Sequence, residues 1–275
     1  MKNILILIVI IKYSFAFGQR GFYTARCPAI KSYDSACATI PIGKVNYALN
    51  RFVIREIQRG NFQLYDKFWV YAQDQSANAV LSIVKTSTGG GATSLVNSPT
   101  FTAYQGYTGN GTSSYLNTNF NAAANGIQYT QNSACYGAYF RTQEGSSNKV
   151  QIGSYTNPSN ISIGLHFTTT GKIYDCNTFA SNVNVSDTVT IGRFVNARTS
   201  STVESLWKNG VSYGNVSTNS VAPPNLVNTV LAWNILGVPA RFSTNTVSET
   251  FFGNGAIDIN GLNIDAEEMR SKIGY

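Results

Sequence analysis

The sequence predicts a mainly β protein: a two-sheet antiparallel jelly-roll sandwich preceded by a small helical segment. Three observations carry that prediction. Beyond Ala92 the chain consists of short runs rich in Val, Ile, Tyr, Phe and Thr, separated by Gly, Asn, Ser and Pro clusters. Runs of this kind, repeating every 8–12 residues or about that, build many short strands. Within Trp207-Lys208-Asn209-Gly210-Val211, an Asn-Gly pair stands between two alternating runs. This two-residue turn, with positive φ at both positions, suits the twist of a β-hairpin. Ahead of Gly89-Gly90-Gly91, by contrast, apolar residues recur at helical spacing.

The amino terminus sets the compartment. Met1-Lys2-Asn3 is a short basic start, Ile4 to Ile11 is unbroken apolar, and Ala16-Phe17-Gly18 is a small-x-small cleavage pattern. That is the layout of a secretory leader over residues 1–18. Its apolar run is too short for the roughly 20 residues of a membrane span. A mature chain from Gln19, secreted or periplasmic and without a membrane span, is expected. Four cysteines in such a chain read as disulfides, of which three pairings are possible. Cys27 and Cys37 flank a short Pro-containing loop, and Cys135 and Cys176 lie in separate strand-like runs, so Cys27–Cys37 and Cys135–Cys176 are the expected bridges.

Residues 19–88 form an irregular and helical lead-in, and 92–275 form the sandwich. Lys44 to Arg59 reads as helix, with Val45, Leu49, Phe52, Val53 and Ile57 on one face and Gly60 as the stop. Leu64 and Phe68 suggest a second short turn, and Ala77, Val80, Leu81 and Val84 a further helical stretch. Strands are expected at 100–104, 114–120, 134–142, 149–155, 161–168, 188–196, 203–208, 211–216, 229–236 and 250–253. Asp265, with Glu268 three residues on, reads as the capping box of a final helix.

Charged residues make up 12% of the chain, and the net charge of +7 comes from scattered Lys and Arg. Nucleic-acid binders concentrate such charge in a stripe or groove, so no nucleic-acid partner is expected.

Ser98-Pro99-Thr100-Phe101-Thr102 is followed by the stretch Gly106-Tyr107-Thr108-Gly109-Asn110-Gly111-Thr112-Ser113-Ser114-Tyr115-Leu116-Asn117-Thr118. Together they resemble the first strands of the concanavalin A/laminin-G-like jelly-roll family. Tyr129-Thr130-Gln131-Asn132-Ser133 and Leu206-Trp207-Lys208-Asn209-Gly210 are similar to segments of its phage-type and bacterial secreted branch. The resemblance covers roughly 44–275 and implies the fold more than the function. Cys135 departs from it, since that branch usually has a small residue such as serine there.

The sequence lacks catalytic parts. A retaining glycosidase needs two carboxylates about 5–5.5 Å apart, and laminarinase-type relatives supply them from an E-x-D-x-E strand absent here. Asp258 with Asp265, or Glu267 with Glu268, are poor substitutes. His166, between Leu165 and Phe167, reads as a structural histidine. Asp258, Asn260 and Asp265 are weak calcium candidates whose spacing fails the EF-hand loop; no cofactor is otherwise expected. Trp233-Asn234, leading into the 237–245 loop with Arg241, is the expected recognition patch. These readings make a secreted, non-catalytic recognition or adhesion module the leading expectation, binding surface carbohydrate or a protein partner. A structural component, virion-like or cell-surface, is the first alternative and a divergent glycoside hydrolase the second.

Overall fold

The structure is a computed structural model that describes residues 44–84, 89–145, 148–156, 161–168, 170–179 and 183–274. The leader, the remainder of 19–43 and the Cys27–Cys37 bridge lie outside these residues. In chain order the elements are α1 (Lys44–Arg59), β1 (Tyr65–Val70), α2 (Ser76–Ala79), β2 (Ser94–Val96), β3 (Thr100–Thr102), β4 (Gly106–Thr108), β5 (Tyr115–Asn121), α3 (Ala122–Asn125), β6 (Ala134–Phe140), β7 (Lys149–Thr156), β8 (Ile161–Phe167), β9 (Lys172–Phe179), β10 (Val183–Val185), β11 (Gly192–Arg198), β12 (Val203–Lys208), β13 (Val211–Ser217), β14 (Val227–Val230), β15 (Trp233–Ile235), β16 (Val238–Ala240), β17 (Thr246–Gly253) and α4 (Ile259–Ile273).

Two sheets pack face to face. The first runs β13-β12-β11-β6-β17-β4-β3, with β1 also paired to β17. The second runs β10-β9-β8-β7-β14-β5-β2, with the β15–β16 hairpin leaning on β7. Every pairing of named strands is antiparallel except β15 with β7. Between the sheets lies an aromatic core that includes Trp69, Phe120, Tyr136, Phe140, Phe167, Phe194 and Phe252. The Asn-Gly hairpin forms as expected: β12 and β13 pair across Asn209 (φ 50°) and Gly210 (φ 79°).

α1 forms because Val45, Leu49, Phe52, Val53 and Glu56 fall on one buried stripe. It stops where the spacing predicts. Gly60 adopts φ 80°, its N–H donates to the Ile57 carbonyl at 3.0 Å, and the Asn61 N–H donates to the Glu56 carbonyl at 2.9 Å. This is a Schellman closure, which favours glycine. Ile57, expected on the apolar face, is instead 39% exposed, because Glu56 takes the inward position.

Ahead of the triple glycine, the structure departs from the helical reading. Phe62–Leu64 is one 3-10 turn, and Tyr65 to Val70 is a strand in the first sheet, not a second helical turn. All six of its residues are buried, so the alternation that marks a half-exposed strand is missing. Phe68 stacks on Phe251 and touches Phe52 of α1, while Trp69 meets Phe252 inside the sandwich. The spacing over 77–84 yields only the four residues of α2. The expected strand over 229–236 breaks at Leu231, which takes φ 66°. The final helix starts at Ile259, capped by Asp258, whose Oδ1 accepts from the Gly261 N–H at 2.9 Å. Asp265 therefore lies inside α4 and does not cap it.

The expected Cys135–Cys176 bridge is also corrected: both thiols are free and buried. Ala134 and Tyr136 face the core, so alternation turns Cys135 to the other face of the first sheet. Cys176 belongs to the core itself, with Tyr129 Oη 3.6 Å from its Sγ. Burial pushes both thiols up from their ordinary value.

Glu56 gives the fold a pH dependence. Its side chain is buried, and the Tyr65 hydroxyl donates to Oε2 at 2.5 Å. Burial raises its pKa from 4.5 to about 7, with the Asp265 carboxylate adding to the rise and the bonds from Tyr65 and Asn61 opposing it. The folded state thus holds this proton more tightly than the unfolded chain. The resulting stability is complete below pH 4.5 and is lost as pH rises through about 7. Glu56→Gln should remove this slope, gaining on the order of 2–3 kcal/mol at pH 8 relative to the parent. Urea unfolding of both proteins at pH 5 and pH 8 measures it, and parallel slopes would exclude Glu56 as the source.

Candidate functional site

The outer face of the second sheet, away from the core, holds four buried side chains with an unpartnered polar atom: Ser162, His166, Trp233 and Asn234. On β8, Leu165 and Phe167 belong to the core, so alternation sends Ser162, Gly164 and His166 outward. Gly164 pairs with Gly153 on β7 and with Asp175 on β9. A Cβ at Gly164 would sit 2.7 Å from His166 Nε2 and 3.4 Å from Ser162 Oγ. Both atoms therefore overhang the glycine, and neither has a hydrogen-bond partner.

The segment after β14 closes over this floor. Leu231 turns left-handed, and its N–H and carbonyl are tied to Gln151 and Ser243 at 2.8 and 2.9 Å. β15 then runs beside β7 and carries Trp233 over the row. Its ring meets His166 at 4.4 Å and 72° and Tyr155 at 5.0 Å and 50°. The hairpin reverses at Leu236 (φ 55°) and Gly237 (φ 89°). The chain returns through Arg241, also left-handed at φ 54°, whose carbonyl accepts from the Val150 N–H at 3.0 Å. The Arg241 guanidinium lies 5.0 Å from the Trp233 ring centroid and donates to Asn148 Oδ1 at 2.9 Å. Three non-glycine left-handed residues within 231–241 are concentrated backbone strain, a feature that gathers at binding and catalytic sites.

The expected patch thus comes together in part. Trp233 and Arg241 touch. Asn234 is adjacent, but its Nδ2 donates to the Val227 carbonyl at 2.7 Å and its Oδ1 has no partner. Trp233 is only 5% exposed, and its Nε1 is also unpartnered. It serves as a bed for Arg241, not as an open platform. What faces solvent is the guanidinium and the hairpin tip, where Leu236 and Val238 are 53% and 68% exposed. His166, Tyr155 and Ser162 join the site without having been expected there. The signal for two of them is the period-two alternation of 161–167. Burial and the Arg241 charge lower the His166 pKa to about 3, so the imidazole is neutral.

Of the calcium candidates, Asp258 and Asp265 both meet the Arg59 guanidinium, at 3.6 and 2.6 Å, so an arginine stands where they approach one another. Asp258 caps α4, whereas Asp265 accepts from Arg59 Nε at 2.6 Å and from Arg55 Nη1 at 3.3 Å. Among the described residues no group of three His, Cys, Asp or Glu is placed to hold a metal. A cavity of 130 Å³ is lined by Gln143, Glu144, Phe167, Thr168 and Thr190, among others. Its carboxylate accepts from Ser243 Oγ, Thr244 Oγ1 and the Thr244 N–H at 2.7, 2.7 and 2.9 Å. Among the described residues no helix is long and apolar enough to cross a membrane.

No family model matches the chain, and no curated protein matches it. Solved structures do. A mutant of Trypanosoma rangeli sialidase displaying trans-sialidase activity matches at a TM-score of 0.54 and 12% identity, over 88% of this chain and 39% of that one. Trypanosoma rangeli sialidase matches at 0.51 and 12%, over 74% and 33%. Domain 4 of an extracellular GH43 arabinanase from Geobacillus stearothermophilus, in complex with arabinotriose, matches at 0.43 and 8%, over 73% and 98%. The chain spans about two-fifths of the first sialidase chain, and what they share at this identity is the fold. The leading expectation, a secreted non-catalytic recognition or adhesion module, is corrected here. The sandwich recurs within sialidase chains, which do not single out a recognition or adhesion module.

Proposed function

We propose that the chain is a divergent relative of glycoside hydrolases whose sandwich engages carbohydrate at the rim formed by Arg241, Asn148 and the Leu236–Val238 tip. One observation carries the reading: on this fold, the strained 231–241 segment holds an exposed guanidinium 5.0 Å from the ring centroid of a buried indole. A cation fixed on an aromatic bed keeps its orientation without spending ordering entropy at binding. The unpartnered polar atoms of Trp233, Asn234, His166 and Ser162 beneath it support the reading, since buried polar groups are ordinarily satisfied. The resemblance to concanavalin A-like sandwiches and the secretory leader expected over residues 1–18 fit work on extracellular glycan.

The test is to incubate the full chain with a panel of sialylated and arabinose-containing oligosaccharides, following released sugar by chromatography and binding by calorimetry. Release from at least one panel member is expected, reduced about tenfold in Arg241→Ala, equivalent to roughly 1.4 kcal/mol. Trp233→Ala should weaken it similarly by freeing the guanidinium. Binding without release would overturn the hydrolytic part of the proposal, and neither binding nor release would overturn all of it.

A further inference from the structure

We infer that the ligand of the Arg241 rim is an anionic sugar, bearing a carboxylate or a sulfate that pairs with the guanidinium. The inference rests on the proposed carbohydrate reading and names the substrate class of the same site.

The case begins with how this protein uses its arginines. Arg51 pairs with Glu268 at 2.6 Å, Arg59 with Asp265 at 2.6 Å, Arg193 with Glu249 at 2.5 Å, Arg198 with Glu204 at 2.9 Å and Arg270 with Glu267 at 2.6 Å. Arg55 reaches both Asp265 and Glu268. Arg141 donates to the Tyr104 carbonyl at 3.2 Å. Arg241 is exposed and meets no carboxylate among the described residues. Its partners among them are the neutral Asn148 amide and the indole face.

The guanidinium is nevertheless fixed. Arg241 and Asn148 both hold left-handed φ, at 54° and 61°, and the Val150 N–H ties the Arg241 backbone to β7. Non-glycine residues adopt this region at a cost of about 1 kcal/mol. An arginine merely supplying solubility needs neither that backbone nor two anchors. A guanidinium has five N–H donors in a planar fork, and Asn148 occupies one edge. The rest form a bidentate match for carboxylate or sulfate oxygens. Among the described residues, His166 and Tyr155 are the titratable groups in ring contact with Trp233 beneath it, and its own partners Asn148 and Trp233 are neutral. The net charge, +7 for the full sequence and +5 once Lys2 and Lys12 leave with the expected leader, adds attraction for acidic glycan at long range.

The experiment compares matched oligosaccharides on the full-length chain by calorimetry: oligogalacturonate, the same oligomers with carboxyl groups reduced to alcohols, and a sulfated neutral oligomer. Tighter binding of a charged member by at least tenfold over its neutral counterpart is expected. In Arg241→Gln that ratio should fall to near one, while Arg241→Lys should keep part of it. A sulfate-only or carboxylate-only preference identifies which anion is read. Equal binding of charged and neutral oligomers would overturn the inference and leave the carbohydrate proposal standing. A preference for charge that Arg241→Gln does not change would overturn it also. Binding of none would remove both.

Discussion

Phe252→Ala is expected to destabilise the protein by about 3–5 kcal/mol, the cost of a large cavity in a packed core. For a chain of this size that lowers the melting temperature by an amount on the order of 10 °C. The reason is the position of the ring. Phe252 is fully buried on β17 and meets Trp69, Phe120, Tyr129 and Tyr136 at centroid distances of 6.4, 5.2, 6.2 and 6.2 Å. Those rings come from β1, β5, the loop before β6, and β6, so one side chain ties both sheets and the strand from the lead-in. Few neighbours could relax into the gap, because they are rigid rings themselves. Val238→Ala, at the exposed hairpin tip, is the control and should change stability by no more than about 0.5 kcal/mol. Thermal unfolding followed by circular dichroism checks both. A loss for Phe252→Ala below 1 kcal/mol, roughly a single methylene's worth, would contradict this packing.

The second large effect is expected at Arg198. This fully buried guanidinium donates from Nε to the Cys176 carbonyl at 2.6 Å, from Nη1 to the Thr218 carbonyl at 2.8 Å and from Nη2 to Glu204 Oε2 at 2.9 Å. Asn196 Nδ2 donates to the other Glu204 oxygen at 2.9 Å. The group thus joins β11 of one sheet to β9 of the other through a charged contact. Arg198→Met strands the Glu204 carboxylate in the interior and should cost about 3–5 kcal/mol at pH 7. Burial already raises the Glu204 pKa, and removing the cation raises it further. The folded variant therefore takes up a proton that the unfolded chain releases, and its deficit narrows as pH falls. Pairing Arg198→Met with Glu204→Leu should recover most of the loss, since a buried ion pair is seldom more stable than an apolar replacement. Urea midpoints of the two variants at pH 5 and pH 7 decide the matter. A single variant as stable as its double would show that Glu204 is not left unpaired.

Much of this fold was legible because local signals were strong. Gly60 needs a left-handed φ and ends α1 where the apolar spacing stops. Asn209-Gly210 supplies two positive φ angles, and a hairpin forms on them. The strand over 203–208 is found with the expected bounds. What escaped was hidden by long-range burial. β1 is buried on both faces because α1 and Phe251 cover the side that would otherwise be wet, so Tyr65-Asp66-Lys67 lacks strand periodicity. β17 extends back to Thr246 across Glu249, whose charge is admissible in a central strand only because Arg193, more than fifty residues earlier, meets it. The free cysteines belong to the same category: parity within β6, not spacing along the chain, separates Cys135 from Cys176.

The candidate site was legible in its two extreme members and not between them. Trp233 and Arg241 carry recognisable chemistry, and the structure joins them. His166, Ser162 and Gly164 become part of the site only through registers that align three strands, which no single run displays. The exposure of Trp233 was also beyond reach, because what covers an indole depends on where the left-handed turn at Leu231 sends the chain.

The placement of β17 governs the order in which this protein can be made. It is the last strand of the described residues, yet it lies inside the first sheet, with β6 on one side and β1 and β4 on the other. Before it emerges from synthesis, the strands made earlier have no partner at that sheet's centre, and their pairing edges stay open. Closure is thus governed by contacts between distant parts of the chain, the regime of slow folding. A product truncated before Thr246 would carry unpaired edges on both halves of its first sheet, a state prone to association with other strands.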